Sequence, residues 1–330
     1  MLGRDLSLSP ARLLDELREG ACRYDIAMFP PSGEQVALVH GDLEAVITEV
    51  GATLRSFRND SVPVIWEFPE GEISSGDRGQ VLAPWPNRLE DGSYRMRDIV
   101  GHAALNEPER SNAIHGFVRW LPWSIEERSA DRAVLSCVVH PQPAYPFRIR
   151  LDLDYRLGDD GLAVACAVTN AGSGVAPFGL GFHPYLLAGP GGIDEAEIRL
   201  SAQRRLVLDK RGLPVGDEAV SGSAFDLGRR MLRGLELDDC YTGLAIEPDS
   251  RWHARLYTPG RHTEIWADAE FAYAMCYTGD TLGEPDSRRR AIAIEPMTCP
   301  PNALRTGTGV IELEEGERWH ASWGIATALG

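Results

Sequence analysis

Residues 147–157 read FRIRLDLDYRL, and every odd position along them is apolar or aromatic while every even position is charged. Only an extended strand turns successive side chains to opposite sides, so this period of two means one face in a core and one in water. GDDG follows at 158–161, and then Leu162, Val164, Cys166 and Val168 alternate again, which predicts a hairpin over 147–168. Similar short strands are expected at 35–40, 43–57, 132–139, 196–200, 252–257, 263–267, 271–277, 291–295, 310–314 and 319–325, separated by Gly, Pro, Asn and Asp. Many strands and few helices predict an all-β chain built as a large antiparallel sandwich or barrel. The exception is a helix expected over 8–20, with Ser9 as cap, Pro10 in the first turn, and Leu13, Leu14 and Leu17 at helical spacing. No linker, repeat or shift in composition divides the rest, so residues 1–29 are expected to form an N-terminal extension and 30–330 one domain.

Composition removes whole classes of function. The 330 residues carry a formal charge of −16, which repels phosphate backbones and anionic membrane surfaces. Nucleic acid and membrane are therefore not expected as partners. No stretch approaches the ~18 apolar residues of a membrane span, and the acid-bearing N-terminus lacks the apolar centre of a secretory signal. A soluble cytoplasmic protein is expected. The one lysine, Lys210, sits in the turn-like LVLDKRGLP, which argues against lysine-based covalent catalysis. The six cysteines form no CxxC pair and several lie in strand-like runs, so buried reduced thiols are expected. No GxGxxG, phosphate loop, HExxH or GxSxG is present, which argues against nucleotide-dependent enzymes, zincins and α/β-hydrolases.

Four segments differ from ordinary strand sequence. APWPNRLEDGSY (83–94) has prolines on both sides of Trp85, followed by Asn87 and Arg88, so a stiffened loop presents a planar guanidinium. The same residues would also suit a plain connection with a solvated arginine. NAIHGFVRW (112–120) sets His115 before a glycine, where backbone and ligand can approach closely. GLGFHPY (179–185) fixes His183 before Pro184, which biases it towards extended backbone. IAIEPMTCPPN (292–302) runs an apolar strand into Glu295 and is expected to break at Pro296, leaving a carboxylate at a strand mouth or facing solvent. Two framed histidines, a glutamate and an arginine together suit acid–base work on a polar, neutral substrate. Trp85, Trp120 and Trp123 beside these motifs offer flat faces for the C–H side of a sugar ring. The other histidines are expected to be structural.

PWPNRLEDGSY, NAIHG, GFHPY, LDDCYTG and IEPMTCPPNAL, in this order over about residues 34–325, resemble the aldose 1-epimerase (galactose mutarotase) family. The resemblance implies a galactose mutarotase-like large antiparallel β-sandwich, an isomerase of carbohydrate metabolism that interconverts the anomers of a free aldose, and no metal or organic cofactor. Carried over by motif, His183 would be the general acid, Glu295 the general base, and His115 would hold substrate near the ring oxygen. Asn87, Arg88 and Asp238 would bind sugar hydroxyls, with Asp239 an adjacent competitor for the last role. The implied partner is a small-molecule sugar, and the chain is expected as a monomer or homodimer. This member is divergent: Phe117–Trp120 replace a glycine-rich stretch after HG, Leu186 follows HPY, and Met275 stands where the family has a sugar-binding glutamine. HGFVRW also resembles the hexose-6-phosphate 1-epimerases, where Arg119 would meet a phosphate. A third reading is a non-catalytic carbohydrate-binding or sensing protein on the same sandwich, which would have no need of His183 with Glu295.

Overall fold

The structure is a computed structural model that describes residues 30–258 and 260–329; the helix expected over 8–20 lies outside the described residues. The hairpin read from the alternation is present. Ile149–Gly158 pairs with Gly161–Asn170, and Gly158 stands opposite Gly161 at its closed end. Ile149, Leu151, Leu153, Tyr155 and Leu157 are all buried, as the period of two requires. The hairpin lies inside a nine-stranded sheet, flanked by Arg132–Val139 and by the long Arg318–Leu329 strand.

A second large sheet runs through Pro214–Ala219, Ala202–Leu208, Asp238–Leu244, Tyr273–Tyr277, Ala291–Met297, Gly181–Phe182 and Val81–Leu82. The strand pairings in both sheets are antiparallel. The inner faces of the two sheets share one apolar cluster. Within it, the ring of Phe182 meets Trp323 of the opposite sheet at 4.7 Å. The fold is therefore a large all-β antiparallel sandwich. A smaller four-stranded sheet is formed by Gln35–His40, Leu43–Thr48, Leu54–Asn59 and Val62–Pro63.

Two local expectations are corrected, and a central strand lies outside those expected. The strand expected over 43–57 is two strands, because the chain reverses through Gly51 and Ala52, at φ +77° and +47°. A Cβ on Gly51 would sit 2.5 Å from the Arg119 carbonyl, so only glycine fits that turn. Asp238–Leu244, a central strand of the second sheet, shows no apolar alternation because its inward Asp239 is balanced by Arg205 of the neighbouring strand. Finally, the strand carrying Glu295 does not break at Pro296. It continues to Met297 and all seven residues are buried. Ile292 and Ile294 point into the sandwich core, while Ala293, Glu295 and Met297 take the outer face of the second sheet.

Candidate active site

Strand register sets the central pair. Gly181 pairs with Met297 and Tyr185 pairs with Ala293 in the same register, so His183, midway between them, faces Glu295. Their side chains touch, with Nε2 3.3 Å from Oε1. The backbone of His183 is held on its other side. Its N–H donates to Gln80 at 3.1 Å and its carbonyl accepts from Gly79 at 2.9 Å. Tyr185 stacks on the imidazole at 5.0 Å, which limits its rotation. Met275 lies directly beside Glu295 in the next strand and packs with Cys240 and Met297. The glutamate is therefore neither at a strand mouth nor in solvent; it is 2% exposed and has an apolar wall.

A short ladder brings in the other two motifs. Arg88–Glu90 pairs with Asn112–Ile114, with Arg88 opposite Ile114, so the NR and HG segments meet. Asn87 and His115 both take left-handed backbone, at φ +55° and +67°, and each donates its N–H to the other: Asn87 to His115 Nδ1 at 3.1 Å, and His115 to the Asn87 carbonyl at 3.0 Å. Because Nδ1 accepts, the neutral ring of His115 carries its proton on Nε2. Nε2 points towards Asp77, 3.7 Å away, and the ring stands edge-on to His183 at 5.5 Å. The glycine after His115 serves chain packing rather than ligand approach, since a Cβ on Gly116 would lie 2.0 Å from the Ala83 carbonyl.

Arg88 is buried and aimed by Glu107, which accepts from its Nε at 3.0 Å and its Nη2 at 3.1 Å. Gly212 packs against the guanidinium, where a Cβ would come within 2.5 Å of Nη1. Asp238 and Asp239 separate cleanly, because adjacent strand residues point to opposite faces. Asp238 lies on the Glu295 face, 3.9 Å from Arg88 and 3.7 Å from Arg110, with its side chain 41% exposed. Asp239 is buried and bonded to Arg205.

The pair at the centre is dry. Burial pushes the Glu295 carboxyl well above the usual carboxylate range; Asp238 and Asp77 add to this, and Arg88 opposes it. Burial lowers His183 to about 4, with the Arg119 charge acting in the same direction and Asp77 against it. His115 is held well below the ordinary histidine range by burial, then by Arg119, His183 and Arg88. Burial therefore disfavours charge on both partners, favouring the carboxylic acid and the neutral imidazole over the ion pair. Arg88 keeps its charge against burial through Glu107 and Asp238. Three buried polar atoms, Arg88 Nη1, His183 Nδ1 and Glu295 Oε2, have no partner among the described residues.

Asp77, His115 and His183 bring three metal-type donor atoms within 4.8 Å of one another. Asp77 is already bonded to Arg119, and His115 Nδ1 accepts from Asn87, so both are committed within the chain. Arg119 is itself 5% exposed and also reaches Gln80 at 3.4 Å. It is a buried, balanced guanidinium rather than a free phosphate binder. Trp85 and Trp123 are core residues and not sugar platforms, while Trp120 is 47% exposed. Sequence reasoning missed Asp77 and Glu107. Each stood in a recognisable frame, GDRG (76–79) and NEPER (106–110), of the kind used to select the other motifs.

The sandwich has the fold of galactose mutarotase-like proteins. The aldose 1-epimerase family model matches residues 34–325, and the chain belongs to that family. The uncharacterized protein YihR of Escherichia coli K12 is 29% identical over 288 residues, covering 87% of this chain and 91% of that one. Among solved structures, the GalM/aldose epimerase homologue of C. elegans superposes with a TM-score of 0.79 at 17% identity, covering 90% of this chain and 99% of that one. The galactose 1-epimerase of Lactobacillus acidophilus NCFM gives 0.76 at 17% identity, covering 90% and 94%.

Proposed function

We propose that the chain interconverts the α and β anomers of a free aldose by opening and reclosing the sugar ring. The observation that carries this reading is the 3.3 Å contact between the buried Glu295 and His183 side chains. Ring opening removes the proton of the C1 hydroxyl, breaks the bond from C1 to the ring oxygen and places a proton on that oxygen. Glu295 is the base and His183 the acid. Burial favours the uncharged pair, a carboxylic acid beside a neutral imidazole. One proton shift across their contact yields the carboxylate and imidazolium that ring opening consumes, without exchange with solvent. A sugar hydroxyl donating to Glu295 Oε2 favours the ionised form. After rotation about C1–C2 the same two groups act in reverse.

His115 donates from Nε2 near the ring oxygen, and Asn87, Arg88 and Asp238 hold the hydroxyls. Each acid–base group contributes roughly 10²- to 10⁴-fold. The five cysteines among the described residues are buried and unpaired, which fits a reducing cytoplasm. The commitment of Arg119 to Asp77 counts against a phosphate-sugar reading that rests on that arginine. A purely sugar-binding protein would not need the Glu295–His183 contact.

Polarimetry of freshly dissolved α-glucose, α-galactose and arabinose tests the reading. Equilibration faster than the spontaneous rate, and absent with Glu295→Gln, is the expected result. No acceleration for any sugar, or equal acceleration by the variant, refutes it.

A further inference from the structure

The arginines present a feature that the sugar site does not absorb. Most described arginines pair with carboxylates, as the acidic composition would lead one to expect. Arg55, Arg78, Arg261, Arg288 and Arg290 have no carboxylate within 4.0 Å among the described residues, yet all five line two adjoining cavities. The cavities measure about 710 and 540 Å³ and share Pro63, Leu187 and Arg290. Of the carboxylates on their walls, Glu67 is held by Arg58 at 2.6 Å and Asp194 by Arg289 at 2.6 Å. Only Asp286 remains to offset five guanidiniums.

Two of these charges are held in place at a cost. Arg78 is 8% exposed, and its N–H groups go to neutral acceptors: the Ser75 carbonyl at 2.9 Å, Ser75 Oγ at 2.7 Å and the Glu67 carbonyl at 3.0 Å. Its guanidinium lies 4.5 Å from the centre of the Trp66 ring. Arg261 donates to the Pro63 carbonyl at 2.7 Å and to Thr263 Oγ1 at 3.2 Å, and its buried Nη2 has no partner. Burial works against both cations; Tyr185 and Glu72 partly offset it at Arg78, and Arg290 repels that cation. Like charges gathered with too little counter-charge destabilise a fold; an anion among them removes that cost and gains charge-assisted, planar hydrogen bonds.

We infer that the two joined cavities bind a tetrahedral oxyanion, of the phosphate or sulfate class, carried by a small metabolite. Each cavity falls in the range of small-molecule sites, about 300–1,000 Å³, and exceeds what an inorganic ion needs. The site adjoins the catalytic groups across a single aromatic layer. The ring of Tyr185 stacks on His183 at 5.0 Å and meets Trp66 edge-on at 5.7 Å, so an aromatic wall stands between the imidazole and the arginines. The anion is then either a substituent of the sugar being turned over or part of a separate metabolite. The binding itself does not depend on the epimerase reading.

Calorimetry on the full chain at low ionic strength tests the inference without reference to turnover. The probes are inorganic phosphate, sulfate and glucose 6-phosphate. Saturable binding is expected, weakened about tenfold or more by the combined Arg261→Gln and Arg290→Ala substitutions. The exposed Arg290 and half-buried Arg261 are chosen because loss of Arg78 would endanger folding, and circular dichroism checks that the variant is folded. Displacement of glucose 6-phosphate by both inorganic phosphate and galactose places the anion on the sugar. Displacement by phosphate alone assigns it to a separate metabolite. No saturable binding of any probe, or binding unchanged in the folded variant, overturns the inference.

Discussion

Acidification should leave the Glu295–His183 pair active until well below the pH at which histidine ordinarily titrates. Burial first, and the Arg119 charge second, hold His183 at about 4, against an ordinary value of 6.5. That displacement corresponds to about 3 kcal/mol favouring the neutral ring. The inactive acidic form is the pair with two protons, which has no base. With its limb at about 4, kcat/KM at pH 5 should keep about 90% of the neutral value; an unshifted histidine would leave about 3%. Polarimetric kcat/KM between pH 4 and 8, with the spontaneous rate subtracted at each point, reads this directly. Stability gives an independent reading. The unfolded chain takes up the proton near 6.5 and the folded chain only near 4, so the wild type loses up to about 3 kcal/mol over that interval through this group. His183→Asn removes that loss, and urea unfolding followed by tryptophan fluorescence measures the difference. Half-activity near pH 6.5, together with parallel stability curves for wild type and variant, would refute the reasoning that burial governs this site.

Glu295→Gln should lower kcat by roughly 10²- to 10⁴-fold while calorimetry still detects sugar binding, because the amide keeps the shape but cannot accept the proton. Asp238→Asn should raise KM several-fold with normal thermal stability. Asp239→Asn should instead lower the melting temperature, because it leaves the partly buried Arg205 with a single carboxylate partner, Glu218. Gly116→Ala should destabilise by about 2 kcal/mol or more in urea unfolding, since its Cβ would meet the Ala83 carbonyl at 2.0 Å on a backbone at φ +63°.

The alternation of residues 147–168 was enough to read a hairpin, and its repetition along the chain to read an antiparallel sandwich. The site was legible where proline or glycine framed a polar side chain, as at Asn87, Arg88, His115 and His183. It was illegible where the frame was present but the partner distant, as with Asp77 and Arg119, which are 42 residues apart and directly bonded. Position within a strand was also beyond the sequence: Pro296 reads as an ending, yet the strand continues to Met297.

Period-two patterning is a local property, and it determined which faces of the chain are buried and hence the class of fold. Residue type determined which groups were able to exchange protons. Pairing between remote strands decided the rest. It set His183 opposite Glu295, turned Asp238 towards the site and Asp239 towards Arg205, and gathered five unpaired arginines around two cavities. A pKa is set by burial and by neighbouring charge, and both arise only when such strands meet.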